Sequence, residues 1–378
     1  MKSKSVLTYC MIAFLMMSFG SCEKSADRNL KLEFGSQTPK IGLENLEIIN
    51  AFQIKAKPEF FIGSVTKILC KNDKYYILDR LAKQVVIIDQ AGNVLNVIKS
   101  VGKGPYEYLE LSDMCLDGDR LAIFDNMGGQ VIIYDLSGNA LSGFKTAIKN
   151  GYIGCINSHY VISKGRYVIG SYENELHQIG VFDDQGKNVK WYLPFGTRFD
   201  SWLSYGNEVT PYQGSLLVTE TFDYHIYRIN KSFDLDVFAT IDFGTNSMDT
   251  SGINKMSDLN QIREGKNEKK VISIGNIFGM DDALVIWTMC GGRPYISCLD
   301  LKSGHTKSYR SPGYSVIGFS NTYPIPRPIG DNGSELIGCV EPDDLLKIDD
   351  SQSLQLSGGK SFKIDNKDMQ VIVIFKIK

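Results

Sequence analysis

The 378-residue chain carries no dominant charge, only 4 His and 11 Pro, and none of the linear signatures of catalysis. Its 41 Lys and Arg face 43 Asp and Glu, a formal charge of −2, so no field of one sign attracts nucleic acid. Scarce proline with 43% hydrophobic and 11% aromatic residues excludes a disordered or collagen-like chain. GxSxG, HExxH, P-loop and Rossmann fingerprints are all missing, and Gly102-Lys103-Gly104-Pro105 has no helix behind it to cradle phosphate. Besides Cys22, the cysteines of the body are 70, 115, 155, 290, 298 and 339, with no CxxC pair and no zinc-ligand spacing. Several lie in apolar strand runs, which predicts buried free thiols. Helical periodicity is sparse too, confined to Ile253–Arg263 and Asp343–Ile348.

What is present begins with an address. Lys2 and Lys4 precede an apolar run, Val6–Phe19, too short for a comfortable span, and Gly20-Ser21 leads into Cys22. The pattern resembles the lipobox of bacterial lipoproteins, which implies lipidation of Cys22 as the mature N-terminus. After it no run of 18 apolar residues occurs, so the membrane is expected to be reached through the lipid alone. The expected organisation is a signal peptide over 1–21, a tether over 22–42 and one domain over 43–378.

That domain repeats itself. YYILDRLAKQVVIIDQAGNVLNVI at 75–98 aligns without a gap on LAIFDNMGGQVIIYDLSGNALSGF at 121–144, placing Asp79 on Asp125 and Asp89 on Asp135. Further copies follow at Val181-Phe182-Asp183, Ile226–Asn230 and Ser297–Asp300. A period of about 46 residues, each holding four strand-like runs, predicts propeller blades. The prediction is an all-β, six-bladed propeller of four-stranded antiparallel blades. Glu335–Val340 and Gln370–Lys378 supply strands of the last blade, and Leu43–Phe52 its outermost strand, clasping the ring shut. The repeated aspartates are expected to cap their own turns rather than hold calcium.

GKGPYEYLELSDMCLDGDRLAIFDNMGGQVIIYDLSGNAL (102–141) resembles an NHL-type repeat, with Tyr106 where that family commonly has glycine. The GKGPYEY loop, HIYRI with the IDFG of 241–244, and the terminal VIVIFKIK resemble the six-bladed propeller lipoproteins of Gram-negative gut bacteria, most of unassigned activity. The resemblance implies an outer-membrane lipoprotein with its body on the periplasmic or cell-surface side. Its expected partners are an envelope protein, a peptide or a glycan.

Propeller loops carry function on a rigid scaffold. Strand direction sends the connections between blades and the turns between second and third strands to one face. There the expected ligand-binding residues are Arg80, Tyr106, Glu107, Tyr108, His177, Trp202, Asp223, Tyr224 and His225. Trp191 is expected to pack between blades, and the Gly-Pro turn with Glu107 to brace neighbouring blades. No residue stands out as catalytic, and a binding or scaffold module needs no cofactor. The rival reading is a metal-assisted lyase or hydrolase on the same face, since some NHL-type propellers are zinc-dependent lyases acting on peptidylglycine derivatives. It would hold zinc on His159, His177 and His225, all expected on that face.

Overall fold

The computed structural model describes residues 28–55, 61–164, 177–194, 209–220, 223–249, 269–271, 273–311, 326–343, 353–366 and 368–378. Ile253–Arg263 and nearly all of Asp343–Ile348 lie outside them.

Runs such as Gln84–Asp89 (QVVIID) and Gln130–Asp135 (QVIIYD) are apolar at successive positions, not alternate ones. A strand of that kind must be covered on both faces. The fold achieves this by standing six four-stranded sheets radially in a ring. The first blade is Val65–Lys71, Lys74–Asp79, Gln84–Asp89 and Val94–Ile98 from axis to rim. The second repeats it with Leu111–Asp117, Arg120–Asp125, Gln130–Asp135 and Ala140–Lys145. The inner strands of the third to sixth blades are Tyr152–Ile156, Val209–Tyr212, Ile277–Met280 and Arg327–Asp331.

Each apolar cluster lies between two blades. Tyr76, Leu78, Val85 and Ile87 of the first blade meet Met114, Leu121, Ile123 and Ile132 of the second. The intervening Ile77, Val86 and Ile88 turn the other way, onto Ile337, Ile372 and Ile374 of the sixth. Such close approach leaves no room for side chains on some inner strands. A Cβ on Gly330 would lie 2.1 Å from the Ile68 carbonyl oxygen, and one on Gly154 would lie 2.4 Å from Val209.

The sixth blade closes the ring as expected. Leu336–Val340 and Val371–Ile377 form its second and third strands, and Leu46–Gln53 pairs antiparallel with the latter as the outermost strand. A bulge between Ile48 and Asn50 shifts the register, so Ile48 and Ala51 face the fifth blade while Phe52 faces the first.

Much of the expected tether is part of the body. Arg28–Lys31 adds a parallel fifth strand to the rim of the fourth blade, beside Leu235–Asp242. Leu30, Leu32 and Phe34 are buried there, with Phe34 stacked on Tyr295 at 4.3 Å. Polar residues between these apolar ones made the segment read as linker, but their alternation is that of a half-buried strand.

Among the described residues all six cysteines of the body are free thiols, with Cys115 and Cys290 buried and the other four partly exposed.

Candidate functional site

The two faces of the ring differ. The crossing face carries the connections between blades and the turns between second and third strands. The hairpin face carries the turns between first and second strands and between third and fourth.

On the crossing face the repeated aspartates do more than cap their own turns. Asp79 closes the second strand of the first blade and accepts the N–H of Ala82, but also those of Gly63 and Ser64 in the incoming connection. Gln84, opposite it in the ladder, donates to the Phe61 carbonyl. The second blade repeats this: Asp125 accepts from Leu109, Glu110 and Met127, and Gln130 donates to the Pro105 carbonyl. Each acid–glutamine pair therefore ties an incoming loop to its blade. On the hairpin face Asp89, Asp135 and Asp183 do cap only their own turns.

The third and fourth blades break this pattern. Lys164 occupies the position of the aspartate in the third, across from Gln178. In the fourth the pair becomes Glu220 and His225. Glu220 is fully buried and accepts the Ser163 hydroxyl of the third blade at 2.8 Å. Beside it Asp223 accepts three donors: the His225 N–H at 2.9 Å, the His225 ring Nδ1 at 2.5 Å and the Tyr227 hydroxyl at 2.6 Å. Burial and the Asp223 carboxylate push the Tyr227 phenol well above its ordinary range. Asp223 thus holds the histidine by Nδ1, leaving Nε2 for a ligand, on a side chain 42% exposed.

A family model described as "Domain of unknown function (DUF4934)" matches residues 54–376. The chain belongs to the DUF4934 family. No curated protein matches this DUF4934 member. Among solved structures, a Bacteroides fragilis chain that carries the name of an exported protein is similar with a TM-score of 0.68 at 15% identity, over 93% of this chain and 99% of that one. A DUF4221-family protein of Bacteroides vulgatus is similar with a TM-score of 0.54 at 10% identity, over 88% and 98%. At these identities the likeness is one of fold.

The residues expected to line the crossing face are not all brought together. Asp223 and His225 meet, as described. Arg80, Tyr106, Glu107 and Tyr108 belong to the first blade and the connection leaving it, and none of them contacts that pair. Tyr106 is 45% exposed, and Glu107 braces its own turn by accepting the Gly104 N–H at 2.7 Å. Two tyrosines in the DUF4934 chain point inward, Tyr108 fully and Tyr224 partly buried. Tyr108 is fully buried; its hydroxyl donates to the Lys83 and Ile98 carbonyls, and burial pushes its phenol up to about 12. Tyr224 donates to the Val271 carbonyl and accepts the Met248 N–H, edge-on to Phe243. Trp202 and Cys22 lie outside the described residues.

The three histidines do not converge. His177 opens a third strand on the crossing face, with Trp191 at 5.8 Å. His159 stands on the hairpin face, immediately after the turn Asn157-Ser158. Both turn residues adopt left-handed backbone, φ 51° and 57°, without glycine, so the sequence does not mark the reversal. No group of three or more His, Cys, Asp or Glu among the described residues is placed to hold a metal ion. Trp191 packs between blades against Phe182, as expected.

Sequence reading passed over Glu220, Ser163 and Tyr227, although the replacement of the acid–glutamine pair is visible once the blades are aligned. It also passed over the hairpin face, where a cavity of about 650 Å³ opens along the axis, lined by the inner strands of all six blades.

Proposed function

We propose that this DUF4934 protein is a lipid-anchored propeller of the outer membrane, a non-catalytic binding or scaffold module for an envelope protein, peptide or glycan. The anchor is Cys22, and the body stands in the periplasm or at the cell surface. The Asp223–His225–Tyr227 trio carries this reading. It replaces a loop-tying pair with an oriented, half-exposed imidazole, a group suited to hydrogen bonding with peptide or sugar. The exported name of the Bacteroides fragilis relative and the N-terminal address support the location.

Two experiments test it. The mature chain, screened on arrays of defined peptides and glycans, is expected to retain a subset. Both His225→Ala and Asp223→Ala should weaken that retention about tenfold or more, the scale of one charge-assisted hydrogen bond, while Glu107→Gln leaves it unchanged. Retention indifferent to both trio variants would remove the site from the reading. For the anchor, Cys22→Ser is expected to move the protein from the membrane fraction to the soluble one. A membrane-bound Cys22→Ser protein would refute lipidation there.

The Asp223–His225 contact also favours one second reading, the enzymatic one. A carboxylate on Nδ1 and a free Nε2 form the arrangement of a general base. Turnover abolished by His225→Ala, with binding retained, is the result that would select it.

A further inference from the structure

The axial cavity is not used by the crossing-face reading. At about 650 Å³ it falls within the range of small-molecule sites, roughly 300–1,000 Å³. Its walls are mainly apolar, with Ile68, Met114, Val209, Phe278 and Ile329 among them. Of the charged groups that line it, Lys67 is buried and Asp331, beside the turn at the hairpin-face mouth, is partly exposed. The Lys67 ammonium is already neutralised by Asp113 at 2.7 Å. The Asp331 carboxylate, at the end of the sixth inner strand, has only neutral donors, the N–H groups of Gly333 at 3.0 Å and Gly279. Among the described residues no ion pair reaches it.

We propose that this cavity binds a small organic cation, an ammonium with an apolar body, whose charge rests on Asp331 and whose hydrocarbon fills the space between the inner strands. A carboxylate drawn into a cavity is stabilised by a paired cation, and the one that acts on Asp331, Lys67, is held in an ion pair with Asp113. The surrounding charges agree. Asp281 stands at the same mouth and adds negative charge. Lys71 is engaged by the Gly118 carbonyl and Asp119, Asp282 by Lys302, Glu335 by Asn332, and Arg327 lies over Trp287. Lys231 is exposed on the rim at the fourth blade, and the Cys70 thiol is pushed up by burial and stays neutral.

The free protein bears the consequence. Burial raises the Asp331 carboxyl from 3.8 to about 6, against the N–H donors and Lys67. The folded state therefore holds this proton more tightly than the unfolded one, and stability falls as pH rises from about 4 through 6. A bound cation reverses that loss. Between pH 5 and 7 the ionised fraction of a group titrating near 6 grows about tenfold, and amine affinity grows with it.

The test is calorimetric titration of the mature chain with benzylamine and n-hexylamine at pH 5 and 7, with benzyl alcohol and hexanoate as neutral and anionic counterparts. Both amines are expected to bind, about tenfold more tightly at pH 7. Asp331→Asn should weaken binding at pH 7 at least tenfold and flatten the pH dependence. That variant should melt no lower than the parent at pH 7, since it removes an unpaired charge, so lost binding is not lost folding. His225→Ala should leave amine binding unchanged, separating this site from the crossing face. The proposal is overturned if neither amine binds at millimolar concentration, if benzyl alcohol binds as tightly as benzylamine, or if Asp331→Asn binds like the parent. Hexanoate bound in the amines' place and lost with Lys231→Ala would make the cavity an anion site instead.

Discussion

A chain carrying Ile48→Asp and Phe52→Asp is expected to lose the closed ring and, with it, cooperative folding. Both residues lie in the outermost strand of the sixth blade, 6% and 7% exposed. Because of the bulge between Ile48 and Asn50, one faces the fifth blade and the other the first. Each substitution places a carboxylate between two sheets with no designed partner, a change of about 4 kcal/mol or more. Together they approach or exceed the roughly 5–15 kcal/mol that holds a typical domain. They also loosen a strand whose removal exposes the edge of Val371–Ile377, a run of VIVIFKI suited to pairing with other chains. Circular-dichroism melting and size-exclusion chromatography should show a broad, early transition and aggregation. A monomer that melts cooperatively at the parent temperature would show that the clasp is dispensable.

Asp113→Leu is expected to be the most damaging single substitution at the axis. Asp113 pairs with Lys67 of the first blade and accepts the N–H groups of Met114 and of Ile153 in the third. One carboxylate therefore joins the inner strands of three neighbouring blades. Its loss removes the ion-pair partner of a buried ammonium, at a cost of about 3–5 kcal/mol. The double variant Lys67→Met/Asp113→Leu removes the ammonium as well and should recover most of that loss, though not the two N–H bonds. Urea denaturation of the parent, both single variants and the double closes the thermodynamic cycle. Additive single effects would mean the two charges do not depend on each other.

The architecture was legible because local and global signals agree. Turns, apolar strands and the 46-residue offset recur, and each strand is apolar on both sides because each blade has a neighbour on both sides. Even the clasp was visible, since the last blade has only three strands downstream and Leu43–Phe52 has no blade of its own. The site was legible only in part. Asp223 and His225 were named from the sequence, and they meet because a two-residue spacing at the start of a strand suits a local carboxylate–imidazole contact. Tyr108 and Tyr224 were named with them, yet both rings turn into the core. Aromatic residues in polar loops look alike in sequence whether they face solvent or pin the loop. His159 went to the wrong face because Asn157-Ser158 reverses the chain without glycine or proline.

What the amino-acid sequence by itself determined is periodic and local: the strand runs, their turns, the number of blades and the order in which they close. The axial cavity, the joining of three inner strands by Asp113, and the isolation of Asp331 were decided by tertiary structure alone. Each depends on residues dozens to hundreds of positions apart, brought together at a ring axis. Whether a carboxylate there is paired or left for a ligand is set by which neighbours the closed ring places beside it. Asp113 and Asp331 occupy inner strands of the same kind; Lys67 forms its salt bridge with Asp113, and among the described residues no salt bridge reaches Asp331.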